Sequence, residues 1–149
     1  MAETRGLTPG DVCHCLAVRQ AGRWISQLYD QHLAECGLRA TQYAILAQLD
    51  RLGPVSIAAL ADAMVMDRTT ITRNITPLAR DGLVQIAAGP GDRRRKCVAL
   101  TAHGRQTLAA ARPLWRRAQA AFEKHFGAEQ AAAMRALLRQ VPQGRSRSS

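Results

Sequence analysis

The hydrophobic period of this chain changes in one place. Apolar residues recur at helical spacing up to about residue 81 and again beyond residue 101, but between 83 and 100 the spacing falls to two. Leu83, Val84 and Ile86 lead into Gly89-Pro90-Gly91, and Cys97, Val98, Ala99 and Leu100 lead out. That pattern predicts one β-hairpin inserted into an otherwise helical chain. Its tip carries four adjacent cations, Arg93, Arg94, Arg95 and Lys96. Charges so close repel one another, and a polyanion would relieve the repulsion. A merely solvated tip is the alternative.

The helices on either side are delimited by their caps. A long first helix is expected from Asp11, as N-cap, to Gly37, and a second over 41–53, stopped by Gly53-Pro54. Ser56 is placed to cap a short third helix with Ile57, Leu60, Ala61 and Met64 on one face. Asp67 is placed to cap a fourth, with Ile71, Ile75 and Leu78 inward. After the hairpin, Thr101 caps a long helix to about Phe126, with a kink expected at Pro113, and a last helix runs from about Glu129 to Val141. Residues 142–149 are too polar to pack and read as a disordered basic tail. Two short helices followed by a hairpin predict a winged helix-turn-helix. The fold class expected is therefore mainly α with a small β-hairpin wing, in one domain of 149 residues.

In such a fold the second helix of the pair enters the major groove. With its apolar residues inward, the fourth helix points Thr69, Thr72, Arg73 and Thr76 outward, while Arg68 and Thr70 sit near its amino end, where free N–H groups favour phosphate. Threonine is a mediocre helix former, so four of them on or beside one exposed face point to DNA more than to incidental solvation. The whole chain carries 21 Lys+Arg against 11 Asp+Glu, a net charge of +10 and nearly all arginine, which suits bidentate contacts to phosphate. Double-stranded DNA is the expected partner. A sequence-independent, nucleoid-type binder would explain the charge but not a groove-directed helix.

The stretches "LRATQYAILAQL", "MDRTTITRNITPLARDGLV", the Asp92-Arg93-Arg94 of the wing and "VALTAHG" resemble the multiple-antibiotic-resistance regulator (MarR) family across nearly the whole chain. The resemblance implies a transcriptional regulator, usually a repressor, acting as a homodimer on a palindromic operator. Helices at about 11–37 and 102–141 would form the dimer, and residues 41–101 the DNA-binding head. It implies that Arg94 enters the minor groove and that Asp92 orients the wing, with Arg93, Arg95 and Lys96 on the backbone. Some members are released by small aromatic acids, which makes Arg23, Trp24, Tyr29 and Tyr43 a candidate pocket for an aromatic or anionic effector, with Arg19 beside them. Packing is the other reading of the aromatics. Other members sense organic hydroperoxides through a cysteine near the start of the first helix, a place matched by Cys13 and Cys15, which also suit small packing positions.

An enzyme would need a nucleophile with its base, paired carboxylates or a phosphate-cradling loop, and none is present in the sequence. His32 and Cys36 are four residues apart, but paired zinc spacing is lacking, and no metal or other cofactor is expected. The four cysteines, with no secretory signal and no apolar run of membrane length, point to a reducing cytoplasm and no membrane partner.

Overall fold

The computed structural model describes residues 8–143. Its elements are α1 (His14–Leu33), a 3-10 turn (Ala34–Cys36), α2 (Ala40–Leu52), β1 (Val55–Ser56), α3 (Ile57–Met64), α4 (Arg68–Arg80), β2 (Val84–Gly89), β3 (Asp92–Leu100), α5 (Ala102–Phe126) and α6 (Ala128–Gln143). This is the mainly helical winged fold expected from the sequence.

Three of the four side-chain caps read from the sequence form. Ser56 accepts from the Ala59 N–H, Asp67 from Thr70 and Thr101 from Gly104. The fourth does not. Asp11 instead holds the Thr8 N–H at 2.8 Å and the Thr8 hydroxyl at 2.6 Å, which closes a turn ahead of the helix, and the Cys13 thiol caps α1 by accepting from Leu16. The first helix therefore begins at His14 and leaves α geometry after Leu33, before Gly37 takes a left-handed φ of 74°.

The hairpin forms as expected and gains a third strand. β1 pairs antiparallel with β3 through Val55↔Val98 and Ser56↔Cys97, giving the order β1-β3-β2. A two-residue strand has no period to read, which is why the sequence pattern did not disclose it. Helix α5 continues unbroken through Pro113, where a kink was expected. The last helix starts at Ala128 and includes Pro142 and Gln143, so the predicted tail begins too early; its remaining residues, 144–149, lie outside the described ones.

Leu60, Ile71, Ile75 and Val98 are wholly buried and close the head, joined by Ile45 and Leu46 of α2. Helix α5 is the spine: Gly104, Leu108, Ala111, Leu114, Ala118 and Phe122 lie buried along it as it passes α2 and α1. Its foot sits hard on the sheet, because a Cβ at Gly104 would stand 2.0 Å from the Leu83 carbonyl oxygen. One long-range cap ties α1 to the head: Asp30 Oδ1 accepts the Ala40 N–H at the start of α2, at 2.7 Å. Among the described residues no helix is long and apolar enough to cross a membrane.

Candidate nucleic-acid interface

Helix α4 is anchored from inside and open outside. Ile71, Ile75 and Leu78 are at most 1% exposed, whereas Arg68, Thr69, Thr72, Arg73 and Thr76 stand in solvent and together with Pro77 line one surface groove. Its amino end is held by Asp67, whose two carboxylate oxygens take the Thr70 N–H at 2.7 Å and the Thr70 hydroxyl at 3.0 Å. Those two bonds, the main-chain one foremost, keep the Asp67 carboxyl below the usual aspartate range. The cap therefore contributes above the pKa of an unfolded aspartate and is lost as pH falls through the lowered folded value. The turn before it is strained. Val65, a β-branched residue, closes α3 with a left-handed φ of 54°, a conformation that ordinarily falls to glycine.

The wing projects beside this helix. Pro90 and Gly91 turn the hairpin, with φ at Gly91 of 84° and a register shift between Ala88 and Gly89. Asp92 Oδ1 accepts the Arg94 N–H at 2.9 Å, which stiffens the strand where it leaves the turn. Arg93, Arg94, Arg95 and Lys96 are all exposed. Three of them face a cleft of about 410 Å³ whose wall is Arg94, Arg95 and Lys96 on the wing, Arg68 and Thr72 on α4, and Ser56, Ile57 and Ala58 at the start of α3. The structure thus brings the two predicted groups, recognition helix and wing, to opposite sides of one basic slot. The third wall was not legible, because only the β1–β3 pairing swings the α3 amino end into it.

The candidate effector residues divide. Tyr29 and Tyr43 line a cavity of about 570 Å³ under the head, with Gln48, Arg112, Trp115 and Arg116. The Tyr43 and Trp115 rings stack at 6.0 Å, and burial raises the pKa of both tyrosines. Arg112 reaches Asp50 at 2.6 Å, while the Tyr29 hydroxyl donates to Gln119. Arg23 and Trp24 are not part of this cavity: Arg23 is exposed, and Trp24 stacks on His125 at 4.6 Å near Phe122. A helix turns by about 100° per residue, and positions 23 and 24 lie on another side of α1 from Tyr29. Arg112 and Arg116, four apart and flanking Trp115, carried the signal that would have located the cavity.

Cys13 and Cys15 are exposed, so neither packs in the core of this chain. His32 Nδ1 is bonded to the Leu28 carbonyl at 2.9 Å, and the Cys36 thiol donates to Leu33 from the 3-10 turn. Among the described residues no cluster of three His, Cys, Asp or Glu is placed to hold a metal.

The family model described as the MarR family matches residues 38–96, from just ahead of α2 to the last wing cation. The chain is 33% identical over 95 residues to the transcriptional regulator HosA of Escherichia coli O111:H-, which covers 60% of this chain and 70% of HosA. With the HTH-type transcriptional repressor NicR of Pseudomonas putida it shares 33% identity over 108 residues, 71% of this chain and 68% of NicR. The structure of the M. tuberculosis transcriptional regulator MosR in complex with DNA superposes with a TM-score of 0.77 at 38% identity, over 89% of this chain and 97% of that one. Capped recognition helix, cationic wing and overall likeness agree: the chain belongs to the MarR family of winged helix-turn-helix transcriptional regulators.

Proposed function

We propose that the chain is a homodimeric repressor that binds a palindromic operator and is released by a small aromatic or anionic effector. The observation that carries the DNA reading is the basic slot, in which Arg68 and Thr72 of α4 face Arg94, Arg95 and Lys96 of the wing. A DNA strand laid through it would put α4 in the major groove and the wing over the neighbouring minor groove. Arg73, Thr69, Thr72 and Thr76 then meet base edges, and Arg93, Arg95 and Lys96 meet phosphates. The complex of the related MosR with DNA supports DNA as the partner, and the name of NicR supports repression.

The dimer reading rests on apolar surface that the chain does not cover. Val12 just ahead of α1, Leu16 and Val18 on its first half, Phe126 at the end of α5, and Leu137, Leu138 and Val141 on α6 are all more than a third exposed. A second copy that covered these helices would make α1, α5 and α6 the dimerisation region and 41–101 the reading head.

Effector release rests on the cavity under the head. A planar acid would stack beside Trp115 and place its carboxylate near Arg112 or Arg116. Sequencing the genomic fragments that the purified protein retains tests the main reading: one enriched inverted repeat is expected, and retention of unrelated fragments in proportion to their length would contradict it. Aromatic acids added to that complex should release it while quenching tryptophan fluorescence.

A further inference from the structure

The threonines on and beside the outward face of α4 are not chemically equivalent. Thr70 donates its hydroxyl hydrogen to Asp67, inside the cap. Thr76 donates its own to the main-chain carbonyl of Thr72, one turn back, at 2.7 Å. Among the described residues no comparable bond engages the hydroxyl of Thr69 or Thr72, both of which are exposed.

A threonine hydroxyl has one hydrogen to give. At Thr76 the helix has it, so this side chain cannot also donate to N7 or O6 of guanine. The same bond turns Oγ1 back onto the helix, and in a staggered rotamer that leaves the γ-methyl outermost. Thr76 nevertheless stands exposed in the groove-facing set with Arg68, Thr69, Thr72 and Arg73. Pro77 has no N–H, so α4 loses the main-chain bond to the Arg73 carbonyl, while the Thr76 hydroxyl adds a second bond to the neighbouring Thr72 carbonyl. What Thr76 offers a major groove is a methyl group, and the base edge that matches it is the C5-methyl of thymine.

We propose that Thr76 is a specificity residue that selects thymine through its methyl group, while Thr69, Thr72 and Arg73 supply the hydrogen-bond donors of the reading surface. The assignment rests on the proposed placement of α4 in the major groove. It divides the helix into a donor-rich amino-terminal part and an apolar step one turn further on.

The test enriches duplexes from a random-sequence pool with the wild-type chain and with Thr76→Val and Thr76→Ser, each first shown by circular dichroism to fold. Valine keeps the branched shape and the methyl without the hydroxyl; serine keeps the hydroxyl without the methyl. Thr76→Val should select the wild-type consensus and bind it within about twofold of wild type. Thr76→Ser should lose the preference for thymine at one position of each half-site. Replacing that thymine with deoxyuridine should weaken wild-type binding by about fourfold, the effect of one buried methyl group, and leave Thr76→Ser unchanged. Loss of the position by valine and its retention by serine would overturn the proposal in favour of a hydroxyl contact. So would deoxyuridine replacements that have no effect at any thymine. If the wild-type chain retained duplexes but enriched no consensus, the placement of α4 would fall with the proposal, an outcome distinguished by identical behaviour of all three proteins.

Discussion

The head and the helical arms of this molecule use their apolar residues in opposite ways. In the head, Leu60, Ile71, Ile75 and Val98 are sealed from water by neighbours in the same chain. In the arms, Val18 is 56% exposed, Leu137 64% and Val141 72%. Every residue from 11 to 24 is more than a third exposed. A head that closes its own core is a finished unit, whereas arms that leave large aliphatics in water carry the surface on which the proposed dimer rests. The difference also separates two kinds of surface: the head sets threonines and cations outward, suited to DNA, and the arms leave large aliphatics outward among their polar residues.

On that division the largest effect should come from the arms. Leu137→Asp combined with Val141→Asp should leave the head folded but halve the mass seen in sedimentation. Operator affinity should then fall by at least about 100-fold, because the second half-site is no longer engaged from a tethered partner. A wild-type chain that sediments as a monomer at micromolar concentration while binding a palindrome tightly would break the comparison at its root.

Next in size is the joint between the two regions. Gly104→Ala pushes a methyl group into the Leu83 carbonyl, backbone against backbone, and should cost about 3 kcal/mol in chemical denaturation. An unchanged denaturation midpoint would show that α5 can lift from the sheet without penalty.

Within the head, the wing cations should not be interchangeable. Arg94→Ala should weaken operator binding by about 1 to 3 kcal/mol and flatten any preference for A·T pairs at the outer edges of the site. Lys96→Ala should weaken all duplexes alike and lower the salt slope by about one. Equal, sequence-blind losses for both would reduce the wing to an electrostatic clamp.

Smaller effects mark local devices. Val65→Gly should relieve a left-handed valine and raise stability by roughly 1 kcal/mol, net of the greater freedom glycine has when unfolded. For Cys13 and Cys15, the double serine variant should bind operator like the native protein both before and after peroxide. Release of the native protein alone would assign these exposed thiols a redox role.

The same division explains what was legible in the sequence. The head announces itself locally: the period change at 83, the caps at Ser56, Asp67 and Thr101, and the inward Ile71, Ile75 and Leu78 are all short-range signals, and all appear in the structure. Features that depend on distant partners were hidden. Strand β1 exists only because β3 pairs with it, and the start of α2 is held by Asp30, ten residues upstream. Trp24 lies five residues from Tyr29 in sequence, yet its ring packs against His125 and Phe122 from the far end of α5. Asp11 looked like a cap because its residue type suits one; the thiol of Cys13, two residues on, takes the place instead.

The claim on which the rest depends is that α4 and the wing read sequence rather than charge. A competition titration measures it directly: the duplex enriched from genomic fragments is bound at physiological salt and displaced by a scrambled duplex of the same length and composition. Displacement should require about 1,000-fold more scrambled than specific competitor. A difference of less than about tenfold, with a steep salt dependence for both duplexes, would mean that the basic slot holds DNA by its phosphates alone.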